Sequence, residues 1–245
     1  MHMSNEAVLI HGWDPQFYNG NVTANPSETV AWERRPELLK LLSQDFDLGY
    51  YNLPGFSGVA EPVEDRYDVE DFAKSFGEWA DKQEKSPKLI IGYSFGGAAA
   101  LMHKALSNDP TPTVLISPAI YRGESTRSGI AHHAKRYIPQ RWEDQFRHLY
   151  QFAMSTYYRK GTPFLRHTYN TIVRRDLRDL LSAVDASSLY VIYGERDHDT
   201  PWNLVSDKVQ KSNIGYHVIA SGGHNIGETH PEEIVKQISL FLQQK

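Results

Sequence analysis

The chain contains no cysteine among its 245 residues, which excludes a disulfide framework and a zinc site held by thiolates. Long apolar runs are also missing, since no stretch approaches the roughly 18 apolar residues that a membrane-spanning helix needs. The N-terminal sequence lacks the basic and then apolar segments of a signal peptide, because its apolar run covers only residues 7–10. We therefore expect a cytoplasmic protein without a membrane span.

An excess of positive charge is missing as well. The chain has 26 Lys and Arg against 30 Asp and Glu, a formal net charge of −4. A nucleic-acid-binding protein normally carries a basic excess, so we expect no nucleic-acid partner. With 40% hydrophobic and 23% charged residues, the composition is typical of one large globular domain with a substantial core.

What is present is an alternation of short apolar runs and helical patterns. The apolar runs, which predict strands, cover residues 7–10, 47–53, 88–94, 113–119, 189–195 and 216–221. The helical patterns lie near residues 28–43, 69–84, 95–107, 201–212 and 231–243. Repeated strand–helix–strand units have right-handed crossovers, so the pattern predicts an α/β fold with a mostly parallel sheet flanked by helices.

One interval interrupts this alternation. Residues 120–187 contain no strand pattern, and apolar side chains recur there at helical spacing in two groups. The first group is Trp142, Phe146, Leu149, Ala153 and Tyr157, and the second is Leu165, Tyr169, Ile172, Leu177, Leu180 and Val184. We interpret residues 120–187 as a helical cap inserted into a core formed by residues 1–119 and 188–245.

The most specific motif is the sequence Gly92-Tyr93-Ser94-Phe95-Gly96. An apolar strand precedes it and a helix of small residues follows, which is the context in which G-x-S-x-G places a nucleophilic serine. Gly92 and Gly96 would allow the strained turn to pass close to its neighbours. Ser94 is therefore the candidate nucleophile, and the alternative is a glycine-rich turn with an ordinary serine.

A serine nucleophile needs a base, usually a histidine oriented by a carboxylate. In this type of fold the chain order is serine, then the acid, then histidine. His224 follows the last apolar run, and Gly222 and Gly223 before it leave the backbone free to turn. His230 is the competing candidate, but it directly precedes the final helix pattern and is expected at the surface.

The order of these motifs resembles the α/β-hydrolase superfamily. Residues 194–201 match its G-x-x-D-x-x-x-P segment after the penultimate strand, which implies that Asp197 is the catalytic acid and that Asp199 faces solvent or caps a helix. A metal site built from residues 197–199 is disfavoured, because adjacent residues rarely converge on one ion. The resemblance implies no cofactor and no metal.

The sequence His11-Gly12 after the first apolar run resembles the family's HG motif. The resemblance implies that the backbone N–H groups of Trp13 and Phe95 form an oxyanion hole, and that His11 is structural rather than a base. The loop at residues 13–32 is longer than usual for the family, and it either shapes the pocket or is a surface insertion.

Charge is distributed unevenly along the chain. Residues 121–180 carry ten Arg and two Lys against three Asp and two Glu, a local charge of +7, while the rest of the chain carries −11. The basic segment is either a solvated face or a surface that recruits an anionic or carrier-bound ester. The second alternative is supported by the sequence HGWD at residues 11–14, the chain length, the cap position and the Arg-rich cap, which together resemble the pimeloyl-acyl-carrier-protein methyl ester esterases.

Together these observations indicate a serine hydrolase that cleaves a small-molecule carboxylic ester. A carbon–carbon bond hydrolase or a lactonase would use the same triad, and a ligand-binding member of the fold would need none. The motifs do not choose among the substrates of these enzymes.

Overall fold

A computed structural model describes residues 6–84, 86–123 and 160–244. Its sheet has six strands, all parallel. The strands are β1 (Glu6–Ile10), β2 (Asp47–Tyr51), β3 (Leu89–Tyr93), β4 (Thr113–Ile116), β5 (Leu189–Gly194) and β6 (Gly215–Ile219). They lie in the order β2-β1-β3-β4-β5-β6. All six apolar runs form strands, and the predicted parallel sheet flanked by helices is confirmed.

Helices cover both faces of this sheet. They are α1 (Pro36–Leu42), α2 (Val69–Ala80), α3 (Phe95–Ser107), α4 (Pro163–Ile172), α5 (Ser206–Lys211), α6 (Ile226–Thr229) and α7 (Pro231–Leu242). The step from β1 to β2 runs towards one edge of the sheet and the later steps run towards the other. Right-handed crossovers therefore place α1 and α2 on opposite faces. In agreement, α1 packs against α7, and α2 packs against α3.

The core is densest around the central strands. Every residue of β3 and β4 is buried, whereas the edge strands β2 and β6 begin with exposed residues. A parallel strand covered on both faces needs a nearly continuous apolar run, which is why β3 and β4 were recognisable in the sequence. The register pairs Ile10 with Gly92 and Gly194 with Ile219, so the residues that follow these strands meet at one edge of the sheet.

Two expected helices are interrupted. The pattern at residues 28–43 forms a 3-10 helix, Val30–Trp32, and then α1, which starts at Pro36 because proline favours the first helical position. The pattern at residues 201–212 likewise divides into a 3-10 helix, Trp202–Leu204, and α5. The short helix α6 was not expected from the sequence.

Only residues 120–123 and 160–187 of the insertion are described. The first amphipathic pattern, from Trp142 to Tyr157, lies outside the described residues. The second divides into α4, which Thr162 caps at its start and which ends at Ile172, and a 3-10 helix, Arg178–Ser182. Apolar residues of both pieces are buried in the common core, and the amide of Leu177 donates to the carbonyl of Ile120. The division into core and cap remains a prediction.

Among the helices of the described residues, none has both the length and the apolar character needed to cross a membrane.

Candidate active site

Ser94 occupies the sharp turn between β3 and α3. Its backbone has φ 51° and ψ −115°, in the left-handed half of conformational space that residues other than glycine rarely adopt. The amide of Ser94 donates to the carbonyl of Ile116 at 2.9 Å, and the carbonyl of Ser94 accepts from the amide of Ala119 at 2.9 Å. These bonds to the neighbouring strand end hold the strained turn in place. The sequence-predicted strand–turn–helix unit is thus present in the structure.

Close backbone packing explains the glycines of this turn. A Cβ atom added at Gly96 would lie 2.2 Å from the carbonyl oxygen of Ile10 and 2.5 Å from that of His11. A Cβ atom at Gly92 would lie 2.7 Å from the carbonyl oxygen of Gly96. Only glycine lets the start of α3 approach the end of β1 this closely.

The loops after β5 and β6 are packed against each other in the same way. A Cβ atom at Gly194 would lie 2.4 Å from the carbonyl oxygens of both Gly222 and Gly223. The amide of Arg196 donates to the carbonyl of Gly222 at 2.7 Å. The loop that carries the candidate acid is therefore fixed to the loop that carries the candidate base.

The structure brings Ser94, His224 and Asp197 into one hydrogen-bonded chain. His224 Nε2 lies 3.0 Å from Ser94 Oγ, and His224 Nδ1 lies 2.9 Å from Asp197 Oδ2. A neutral imidazole protonated on Nδ1 donates to the carboxylate and accepts from the serine hydroxyl. This arrangement can transfer a proton from Ser94 Oγ to His224 while Asp197 stabilises the resulting positive charge.

Asp197 is buried, with 3% of its surface exposed. Its Oδ1 accepts from the amides of Asp199 and Thr200, and its Oδ2 accepts from the Thr200 hydroxyl at 2.8 Å as well as from His224. Burial alone would raise the pKa of the Asp197 carboxyl. The hydrogen bond and charge of His224, together with the hydrogen bonds from Thr200, outweigh it and hold that pKa below its usual value. The carboxylate is thus ionised at neutral pH.

Sequence reasoning missed Thr200. Its hydroxyl contacts Asp197, lies 3.2 Å from the carbonyl oxygen of Ser117 and lies 3.4 Å from His224 Nδ1. The sequence did contain a signal for this role, because Thr200 lies three residues after the candidate acid. Ser and Thr in turns commonly form hydrogen bonds with nearby backbone and side-chain groups.

Three side chains here are close enough to form a metal site. The possible ligand atoms of Asp197, Asp199 and His224 lie within 4.8 Å of one another, and His198 is not part of the group. Asp199 is exposed and does not cap the following 3-10 helix. His224 Nδ1 and Asp197 Oδ2 already bond to each other, so a metal ion would have to displace the pair that orients the histidine. The donor set fits the hydrogen-bonded chain better than a metal centre.

The candidate oxyanion hole is formed by two loops beside Ser94. An atom added at Gly12 would lie 3.1 Å from Ser94 Cβ, which places the backbone that leads into Trp13 next to the serine. Phe95 is the first residue of α3, where the N–H group has no partner within the helix. Among the described residues, neither the Trp13 amide nor the Phe95 amide donates to a protein acceptor. Both are therefore available to a substrate oxygen.

Contacts of the Trp13 ring hold the loop after β1 in place. Its Nε1 donates to the Tyr18 hydroxyl at 2.6 Å, and its ring contacts those of Phe56, Phe72 and Phe95 edge to face. Edge-to-face aromatic packing adds rigidity beyond simple burial. The first part of the long loop at residues 13–32 thus supports the backbone beside Ser94.

His11 lies under the site and makes two hydrogen bonds. Its Nε2 accepts from the amide of Leu53 at 3.0 Å, and its Nδ1 donates to the carbonyl of Gly12 at 2.7 Å. Burial, aided by the positive charge of Arg35, lowers the pKa of His11 to about 4. The ring is neutral at pH 7 and joins the HG segment to the loop after β2, in line with a structural role.

The buried neutral ring of His11 should make the fold sensitive to acid. Its folded pKa of about 4 lies below the unfolded value of 6.5. Its contribution is therefore complete above pH 6.5 and is lost as the pH falls towards 4. Between pH 7.5 and 4.5 we expect this residue to account for a loss of about 2–3 kcal/mol in the free energy of unfolding. Denaturant unfolding of the wild type and of His11→Gln at both pH values measures it.

The control for this measurement is His198→Gln, because His198 is an exposed histidine in the same part of the molecule. It should lose as much stability on acidification as the wild type does. An equally large loss in His11→Gln would show that another group causes the acid sensitivity.

Known structures with similar folds cover almost the whole chain. A serine hydrolase of carbazole degradation, the CarC enzyme, is 18% identical with a TM-score of 0.67, over 99% of this chain and 92% of that one. A bromoperoxidase from Bacillus anthracis is 16% identical with a TM-score of 0.66, over 98% of this chain and 92% of that one. A structure from a study of carboxylesterases of Nitrososphaera gargenis is 16% identical with a TM-score of 0.65, over 98% of this chain and 90% of that one. At these identities the likeness shows the fold.

Comparison with curated protein sequences gives no significant match. The model of the alpha/beta hydrolase family, in contrast, matches residues 7–237. This span contains the turn at Ser94, the HG segment and the loops that carry Asp197 and His224. The chain therefore belongs to the alpha/beta hydrolase family.

Proposed function

We propose that the protein is a serine hydrolase that cleaves a carboxylic ester through an acyl-enzyme. The observation that carries the proposal is the continuous hydrogen-bonded chain from buried Asp197 through His224 to Ser94. The chain ends on a serine held in a strained turn at the start of a helix. This combination of nucleophile, base and acid is typical of acyl transfer.

The reaction follows from the positions of these groups. Ser94 Oγ attacks the ester carbonyl while His224 Nε2 removes its proton, and Asp197 stabilises the imidazolium. The amides of Trp13 and Phe95 donate to the oxyanion of the tetrahedral intermediate. The imidazolium then protonates the departing alcohol, which leaves an acyl group on Ser94. Water, deprotonated by His224, attacks this acyl group and releases the acid and the free enzyme.

The insertion at residues 120–187 serves in this proposal as a cap over the site. The ring of Tyr169 on α4 lies 6.0 Å from the ring of Trp13. The amide of Tyr67 donates to the Thr168 hydroxyl, so α4 rests on the segment before α2. These contacts support a cap whose apolar part lies beside the proposed oxyanion loop. The acyl group of the substrate would then lie against aromatic side chains.

An anionic or carrier-bound ester is the narrower form of the proposal, and it rests on the +7 charge of residues 121–180. Arg175 lies 3.3 Å from Asp68, and Arg178 lies 2.6 Å from Asp176 and over the ring of Tyr121. These two guanidinium groups are already partnered. Arg174 is exposed, and no carboxylate in the described part of the chain lies within salt-bridge distance of it. Arg174 could therefore meet an anionic substrate without leaving a described carboxylate.

A substrate panel tests the proposal. It contains a short-chain 4-nitrophenyl ester, a lactone, a vinylogous diketone and a matched pair of methyl esters, one neutral and one with a distal carboxylate. The diketone is included because a meta-cleavage product hydrolase shares the fold. We expect wild-type turnover of the nitrophenyl ester and none above background with Ser94→Ala. An anionic substrate would show a kcat/KM that falls with salt for the charged ester alone.

Two results would contradict the proposal. Turnover of the diketone with no ester hydrolysis would favour the carbon–carbon bond hydrolase. If the protein turns over none of the compounds and Ser94 reacts with no acylating probe, a ligand-binding member of the fold would be favoured. The narrower form has its own test: equal salt dependence for the two methyl esters would show that the basic segment is a solvated face and does not bind the anionic ester.

A further inference from the structure

Tyr93 links the nucleophile strand to the loop that carries the base. It is the last residue of β3 and directly precedes Ser94. Its hydroxyl donates to the carbonyl of His224 at 2.8 Å and accepts from the amide of Gly227 at 3.3 Å. The side chain is 1% exposed, and burial raises the pKa of the phenol, although the positive charge of Arg35 opposes the increase. The hydroxyl is therefore a neutral donor at physiological pH.

A buried arginine packs against the face of the Tyr93 ring. The guanidinium carbon of Arg35 lies 4.1 Å from the centre of the Tyr93 ring, and Arg35 is only 8% exposed. Its Nη2 lies 3.7 Å from Glu228, which also lies 3.1 Å from Arg34. A cation is costly to bury and is stabilised by an aromatic face and by a carboxylate. These interactions clamp the Tyr93 ring between the start of α1 and the helix α6.

Gly227 completes the packing around the ring. A Cβ atom at this position would lie 2.9 Å from Tyr93 Cε2 and 3.1 Å from Arg35 Cδ. The helix α6 can approach Tyr93 closely enough for the hydrogen bond because residue 227 has no side chain. Three separate features of the chain thus converge on one phenol ring.

We propose that Tyr93 is a positioning residue that sets the distance between Ser94 and His224. The proposal rests on the proposed hydrolase function, since it concerns the same pair of groups. His224 follows two glycines in a loop beyond β6. Asp197 orients its ring, and the loop packs against the loop after β5. Tyr93 adds a hydrogen bond to the backbone carbonyl of His224, from the residue that is covalently bonded to Ser94. The Tyr93 hydroxyl thus fixes the backbone of His224 relative to Ser94, and a shift of about 1 Å between reacting groups can reduce a rate by about a hundredfold.

The test is Tyr93→Phe, which removes only the hydroxyl. We expect kcat for a short-chain 4-nitrophenyl ester to fall by about tenfold or more with KM within about twofold, because the change affects the reacting pair and not substrate binding. The matched control is Tyr51→Phe. Tyr51 is also a buried tyrosine at the end of a strand, and its hydroxyl makes one hydrogen bond, to Ser75 at 2.8 Å. This control should keep wild-type kcat.

A second variant and a second measurement separate positioning from folding and from substrate choice. Gly227→Ala should displace the Tyr93 ring while keeping its hydroxyl, and we expect the same loss in kcat. The ¹⁵N signals of the His224 ring, assigned by their absence in His224→Gln, should shift in Tyr93→Phe and Gly227→Ala but not in Tyr51→Phe. This measurement requires no turnover.

The outcomes distinguish the two proposals. Shifted His224 signals without ester turnover by the wild type would support the positioning role and contradict the ester substrate. Unchanged His224 signals in Tyr93→Phe would overturn the positioning role whether or not the wild type hydrolyses esters. Wild-type kcat in Tyr93→Phe, with ester turnover established, would also overturn it.

Discussion

Asp197→Asn should lower kcat for ester hydrolysis by about four orders of magnitude, the loss seen when the acid of a serine triad becomes an amide. Both oxygens of Asp197 accept hydrogen bonds, one set from the amides of Asp199 and Thr200 and the other from Thr200 Oγ1 and His224 Nδ1. An asparagine can keep the backbone bonds through its carbonyl oxygen. Its NH2 group then faces His224 Nδ1 and favours the tautomer that is protonated on Nε2. That tautomer cannot accept the proton of Ser94.

Asp199→Asn is the matched control, with the same chemical change two residues away. Asp199 is exposed, and the field of an exposed carboxylate is weakened by solvent and salt. We expect kcat within about threefold of the wild type, with any difference fading at high salt. Steady-state kinetics of the two variants at equal protein concentration make the comparison. A large loss in Asp199→Asn with near-normal Asp197→Asn would place the acid at residue 199 instead.

Gly96→Ala should destabilise the fold by about 3 kcal/mol or more, because overpacking against rigid backbone is among the most damaging core changes. The added methyl would lie 2.2 Å from the carbonyl oxygen of Ile10 and 2.5 Å from that of His11. Neither atom belongs to a flexible side chain, so α3 would have to move away from β1. The movement would also widen the turn at Ser94. Denaturant unfolding followed by circular dichroism measures the loss.

Gly223→Ala is the control for this prediction. Gly223 lies in the loop next to His224, and a Cβ atom there would have no neighbouring atom within 4 Å. We expect its free energy of unfolding within about 1 kcal/mol of the wild type, since only the backbone propensity changes. If the two variants are equally stable, the close approach of α3 to β1 described here is wrong.

The sequence was sufficient to predict the sheet, because each buried strand is an apolar run between turn residues. It also located the serine turn, since the glycines, the strand before them and the helix after them are adjacent in the chain. The assignment of Asp197 and His224 needed the order of elements as well as local pattern. Ser94 and His224 are 130 residues apart in the chain, so their contact could not be inferred from neighbouring residues. The roles of Asp197 and His224 in catalysis remain predictions.

Other parts of the site could not be inferred locally. In the sequence, Arg35 is one of two adjacent arginines before a helix. Its position over the Tyr93 ring depends on tertiary packing and could not be inferred from its neighbours in the chain. The apolar spacing from Leu165 to Val184 suggested one helix. The structure instead forms α4 and a separate 3-10 helix, each with buried apolar residues, so helical spacing alone did not reveal the break between them. The helical pattern at residues 28–43 likewise did not use Pro36, the proline at which α1 starts.

The charge of the insertion shows a related difficulty. A count of charges does not show which charged groups form ion pairs within the protein. Two of the described arginines lie within ion-pair distance of Asp68 and Asp176. The number of basic groups available to a substrate is therefore smaller than the count implies. The pairing of Arg178 is also local in sequence, two residues from Asp176, but only the structure shows its guanidinium over Tyr121.

The central claim is that Ser94 is a nucleophile activated by His224, and covalent labelling tests it most directly. The protein is treated with a fluorophosphonate, and the adduct is located by intact mass and peptide mapping. We expect one adduct on Ser94, none on a folded Ser94→Ala variant, and much slower labelling of His224→Gln. An adduct at another residue, or labelling of Ser94→Ala at the wild-type rate, would contradict the account.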